Sequence, residues 1–200
     1  MAKKRIKKSF NLKQEYKDTF RFIKESKKFI YIIIGIFVLF VLLGSFVPAP
    51  DFIKQKISEF IDQTSQKIQG MNLQQIIGFI ISNNAQVSFF GIILGIFFGV
   101  IPIILTLSNG YILGFVFSVS VHNAGFLVLW RILPHGIFEL PAVFISLGIG
   151  LRFGSLIFSK KGTGKLKEFS LNSIKVFLLV VIPLLIVAGI IEGFFVYYLG

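Results

Sequence analysis

The chain has 200 residues, of which 54% are hydrophobic and 25 are Phe, with a mean hydropathy of +0.82, above the roughly 45–50% apolar usage of soluble domains. That surplus excludes an ordinary soluble domain, and the absence of cysteine excludes disulfides, thiolate metal sites and cysteine nucleophiles. A formal net charge of +12 would suggest nucleic acid in a soluble protein, but the charge is confined to a few polar stretches, so it reads as topogenic and no nucleic-acid partner is expected.

Eleven of the 21 Lys and Arg precede Phe29. Within residues 1–28, Ile6, Phe10, Tyr16, Phe20 and Ile23 fall in one stripe of a helix with lysines around the rest, which predicts a basic amphipathic helix on the inner leaflet. It reads either as a topogenic tail or as a docking surface for a cytoplasmic partner. The remaining residues, 29–200, read as a single transmembrane domain. Its first apolar run, 29–47, is close to the roughly 20 residues a span needs. No cleavage site follows it, so it is a retained anchor.

Pro48 and Pro50 end that helix, and Asp51 is placed to cap a second amphipathic helix over about residues 51–69, carrying Ile53, Ile57, Phe60, Ile61 and Ile68 and closed by Gly70. Its charges balance: Lys54, Lys56 and Lys67 against Asp51, Glu59 and Asp62. Its apolar face rests on lipid headgroups, on neighbouring spans or on an extracytoplasmic partner. Asn72 then caps a short apolar piece, 73–82, too short to cross and so interfacial or re-entrant. Asn83 and Asn84 interrupt it.

The second span is read over 87–107, with Gly91, Gly95 and Gly99 at four-residue spacing, a stripe that admits another helix backbone. Packing within one chain is favoured over a homo-oligomer seam. Pro102 predicts a kink, and Ser108-Asn109-Gly110 predicts a tight cytoplasmic turn. Residues 111–121 are too short to span, and His122-Asn123-Ala124-Gly125 interrupts the run before 126–133. This is either one span containing the polar tetrad or a span followed by a re-entrant segment. The fourth span, 137–158, carries Arg152, which reads as snorkelling to the cytoplasmic surface. Lys160, Lys161, Lys165, Lys167 and Lys175 precede or begin the last span, 174–199, whose Tyr197 and Tyr198 fit an aromatic belt. By the positive-inside rule the N-terminus is cytoplasmic and the C-terminus extracytoplasmic. The fold class is therefore all-α: a polytopic transmembrane bundle of about five spans in the cell membrane, with broken or re-entrant segments and two interfacial amphipathic helices.

Four ionisable groups sit in or beside apolar runs: Arg131, His135, Glu139 and Glu192. A carboxylate at mid-bilayer costs about 2.5–3.5 kcal/mol on insertion scales, so each should face the bundle interior. Pro134 suits a helix start, Pro134, Gly136 and Pro141 suggest a helix break, and His135 and Glu139 share a helical face. The cluster has three readings: a structural pin for a broken helix, a proton-exchanging path with Glu192, or a catalytic pair. The last lacks a nucleophile or a fuller ligand set, so no enzyme is expected. With two histidines, His122 and His135, no metal or cofactor is implied.

Asn84 before the glycine-striped span is followed by Asn109-Gly110-Tyr111-Ile112-Leu113-Gly114. Pro134-His135-Gly136-Ile137-Phe138-Glu139-Leu140-Pro141-Ala142 comes next, and then Ala188-Gly189-Ile190-Ile191-Glu192-Gly193. This order resembles the stage II sporulation protein M (SpoIIM-like) family from about Tyr16 to the end, most specifically in the His-Gly-x-x-Glu-Leu-Pro-Ala piece. The resemblance implies a multispanning protein with a cytoplasmic N-terminus. Its namesake works in engulfment as a scaffold with a lytic transglycosylase and another membrane protein. Nothing in this chain resembles a wall-binding domain or a carbohydrate-cleaving carboxylate pair, so such chemistry would belong to a partner. The expected function is a membrane scaffold or assembly subunit without chemistry of its own. Its partners would be the lipid bilayer, other membrane proteins and a second copy of itself. The alternative is a small transporter or channel subunit using His135, Glu139 and Glu192.

Overall fold

The computed structural model describes residues 11–125, 129–157 and 163–199, and the side chains among them except those of residues 124, 129–135, 163 and 199. All regular structure among the described residues is helical. Helix α1 (Leu12–Phe46) starts at Asn11, whose side chain accepts from the Gln14 N–H at 3.3 Å. No glycine or proline stands between Tyr16 and Phe29, so the helix runs through Lys28, where composition alone placed a boundary. Its 35 residues reach about 52 Å, against about 30 Å of hydrocarbon. The buried residues Thr19, Phe22, Ser26, Ile33, Phe37 and Gly44 form one stripe along both parts.

Helix α2 (Asp51–Ile68) follows the two prolines. Pro50 rather than Asp51 is the cap residue, and Asp51 instead receives Lys54 Nζ at 3.2 Å. Gly70 turns the chain at φ 79°. Asn72 then opens α3 (Leu73–Ile93) with a reciprocal capping box: the Asn72 side chain accepts from the Gln75 N–H at 3.0 Å, and Gln75 Oε1 accepts from the Asn72 N–H at 2.9 Å. The expected cap is present, but the short re-entrant piece is not. α3 runs on through Asn83 and Asn84 as one helix, because asparagine tolerates a helix interior when apolar residues on either side are packed.

The chain reverses after a 3-10 turn at Leu94–Ile96. Phe98 (φ 56°) and Gly99 (φ 74°) are both left-handed, so α4 (Val100–Ala124) begins at Gly99. The expected span over 87–107 is thus divided between two antiparallel helices. Pro102 falls in the first turn of α4, where its missing N–H would have had no partner, so it causes no kink. Asn109 and Gly110, expected as a turn, lie in the middle of α4. Here Gly110 serves packing: a Cβ would strike the Phe37 carbonyl and side chain on α1. The polar tetrad His122–Gly125 closes α4, with Gly125 at φ 73°; His122 and Asn123 end a candidate span that starts at Val100, and the continuation over 126–128 lies outside the described residues.

Helix α5 (Leu129–Ile157) passes through Pro141 without ending. After a 3-10 turn (Thr163–Lys165), α6 (Leu166–Val176) continues through a π-helical segment (Phe177–Val181) into α7 (Ile182–Leu199). Pro183 explains the π segment: it cannot donate to Leu179, and the wider turn lets the Ile182 N–H reach Phe177 O instead.

Five of these helical stretches are long and apolar enough to cross a membrane. Contacts of α1 with α5 run in opposite order, while Phe37, Val41 and Ser45 meet Gly110 and Gly114 of α4 in parallel. The α5 helix is central. Half of its most apolar window is buried, against 22–28% for the other four, and it packs on α1, α3, α4, α6 and α7. Seams close at backbone range: a Cβ at Gly95 would overlap Gly150, one at Gly114 would overlap the Val41 carbonyl, and one at Gly154 would overlap the Phe98–Gly99 turn. Ser45 Oγ donates to Val41 O (2.8 Å) and lies 3.1 Å from Gly114 O across the α1–α4 seam.

Candidate functional site

Glu139 stands on α5 three residues before Ala142, and Glu192 on α7 four residues after Ala188; both alanines are fully buried. Their small side chains let α5 and α7 approach. Gly189 and Gly193 let α3 close from the other side, since a Cβ at these positions would strike Ile81 and Ile77. The two carboxyls are half-buried, on helices that pack on one another. The backbones of Arg131, Pro134 and His135 belong to α5, but their side chains lie outside the described residues. Among the described residues every ion pair lies away from this seam, and no group of three His, Cys, Asp or Glu could hold a metal.

Asn84 belongs to the same region, though not as a helix break. The buried positions of α3, Ile76, Ile80, Ser88 and Ile92, recur every four residues, and Asn84 completes that stripe. The hydroxyls of Ser88 and Ser146 are fully enclosed and make no hydrogen bond among the described residues. Sequence reading missed both serines. The available signal was spacing: Ser88 follows Asn84 by one turn and Ser146 follows Glu139 by two. Gly136 makes no close approach to another helix, and Pro141 is exposed on α5. Gly91, Gly95 and Gly99 do face α5, at Leu147, Gly150 and Leu151 respectively.

A second cluster lies about 20 Å along α5, at Arg152. Its Nη1 donates to Ser26 Oγ at 2.9 Å and to Phe22 O at 3.4 Å, and its Nη2 pairs with Glu25 at 3.2 Å. The guanidinium centre sits 5.0 Å from the Phe22 ring and 5.3 Å from the Phe169 ring, within cation–π range. Arg152 is therefore held by specific partners at this end of the bundle. Its planar fork finds carbonyl, hydroxyl, carboxylate and ring faces on two neighbouring helices. Beside it lies a polar cavity of about 170 Å³ lined by Glu25, Lys165, Glu168 and Asn172 among others. Further along, Lys175 of α6 pairs with Glu15 of α1. Arg152 and Lys175 together tie α1, α5 and α6 at one end.

A bundle that is all-helical among the described residues, with five helices long and apolar enough to cross a bilayer, defines a polytopic integral membrane protein. The sequence model of the family described as Stage II sporulation protein M matches residues 33–196, and the chain belongs to that family. It is similar to the uncharacterized protein MJ0706 of Methanocaldococcus jannaschii, with 31% identity over 198 aligned residues covering 94% of this chain and 88% of the relative. No solved structure matches it.

Proposed function

We propose that this protein is a membrane scaffold that organises other membrane proteins and carries out no chemistry of its own. The observation that carries this reading is the closeness of the seams. Backbone-to-backbone contacts at Gly95–Gly150, Gly114–Val41 and Gly154–Gly99 lock helices together, as suits a body that holds partners rather than one that opens. The amphipathic α2, which packs closely on no other helix among the described residues, offers a face outside that body. In this reading the N-terminus is cytoplasmic, because the basic residues of α1, Arg152, Lys165 and Lys167 gather at one end and charge-balanced α2 at the other. Purification from native membranes under mild detergent should recover stoichiometric membrane partners. Recovery of the chain alone, combined with solute flux from purified protein in liposomes, would overturn the proposal.

The presence of Glu139 and Glu192 on two neighbouring apolar helices, α5 and α7, favours a second reading, a small transporter or channel subunit. In that case Glu139→Gln should cut flux from reconstituted liposomes by at least about tenfold, equivalent to about 1.4 kcal/mol in a barrier. Equal flux from wild type and variant removes the pair from any transport step.

A further inference from the structure

Towards the end of the bundle that carries Arg152, α3 separates from α6. It packs along α7 and reaches the π segment but makes no comparable contact with α6. The gap is a groove of about 280 Å³ with Ile92 and Phe153 at its floor. Its walls are Ile93 and Ile96 on one side and Ile174 on the other, each 40–46% exposed. We propose that this groove holds one acyl chain of an anionic phospholipid, with the headgroup beside Lys167.

Four features select that occupant. The groove's two hydroxyls are already used: Ser170 Oγ donates to Leu166 O and Ser173 Oγ to Phe169 O, both at 2.9 Å. The lining therefore offers an occupant only apolar contact. The walls run from Phe89 to Ile96 and from Ser170 to Phe177, about 10 Å along the helix axes, which is the direction of lipid chains in a bilayer. One end is closed where the Phe89 and Phe177 rings meet at 5.3 Å between centroids. The groove's volume of about 280 Å³ over that length is less than a helix about 10–12 Å across would fill and suits a single hydrocarbon chain.

Charge selects the headgroup. Lys167 is exposed, one turn before Ser170 and two turns before Ile174 on the same face of α6, so it stands at the end of the groove away from the aromatic closure. Basic residues at a membrane surface attract anionic lipids.

The purified chain, stripped of lipid in detergent, is titrated with phosphatidylglycerol or phosphatidylcholine and followed by native mass spectrometry. A first phosphatidylglycerol adduct should fill at a concentration about tenfold below later ones, and Lys167→Gln should abolish the advantage over phosphatidylcholine. Equal filling of the first site by both lipids in the wild type overturns the headgroup assignment. Ser173→Phe, which fills the groove, should remove the first adduct; its persistence overturns the site. Because Ser173 is buried and that variant can fail to fold, a second measurement uses Ile93→Trp with phospholipid brominated along its chain, after subtracting the signal of Trp130. Quenching should saturate near one lipid per protein, while Leu39→Trp, exposed on α1 away from the groove, should follow bulk lipid. Identical quenching curves at the two positions overturn the proposal.

Discussion

Arg152 shows how much a single side chain can join. It accounts for contacts from α5 to two other helices, through two hydrogen bonds and an ion pair to α1 and through rings on α1 and α6. Hydrogen bonds to charged groups contribute about 1.5–3 kcal/mol and a cation–π contact about 0.5–2 kcal/mol. Arg152→Ala should therefore lower stability in detergent by about 2–4 kcal/mol, read by thermal unfolding. Arg152→Lys should recover less than half of that, because an ammonium cannot fork to Ser26 and Glu25 while stacking on the rings. Full recovery by lysine would show that charge alone matters. The sequence marked Arg152 as a surface residue because position along a span is legible, but the presence of Phe22 and Ser26 beside it depends on how α1 crosses α5.

At the scale of elements, the end of α1, the extent of α2 and the beginning of α3 were legible from composition, prolines and caps, whereas the boundary read at Lys28 lies within α1. Pro48 and Pro50 end one helix, and the reciprocal pair Asn72–Gln75 starts another. What misled was the reading of Asn83-Asn84 and Asn109-Gly110 as breaks. Local propensity favours turns there, yet each pair is flanked by apolar residues that the bundle packs, and packing outweighs a preference of at most about 1 kcal/mol per residue. The true reversal, Phe97–Gly99, lies inside an uninterrupted apolar run and announces itself only through one glycine of a stripe. The one buried residue of α2, Ile57, gives an element-scale prediction. Phe60→Asp, on an exposed position, should leave bundle stability within about 0.5 kcal/mol, whereas Ile57→Asp, 7% exposed, should cost about 2 kcal/mol or more. Thermal unfolding of both variants checks this, and equally small effects would show that the Ile57 contact contributes nothing to the bundle.

At the scale of the whole molecule, the charge distribution leads to a topology that labelling can test in a chain without native cysteine. Ser65→Cys on α2 should react with a membrane-impermeant maleimide on intact cells, and Lys27→Cys on α1 only after permeabilisation. The opposite pattern would invert the orientation. The same end-to-end asymmetry separates the two polar clusters, with the carboxyl pair towards one face of the bundle and the arginine clasp towards the other.

By itself the sequence determined that the chain is a five-span helical membrane protein, which residues are too costly to leave in lipid, and which family it belongs to. These follow from transfer energies and local order, quantities that each segment carries alone. Only the tertiary structure decided where the spans turn, that Ser88 and Ser146 are enclosed within the bundle, and that Arg152 faces α1. Those outcomes depend on which glycines let which backbones meet, and a close approach of two helices is a property of the pair rather than of either sequence segment.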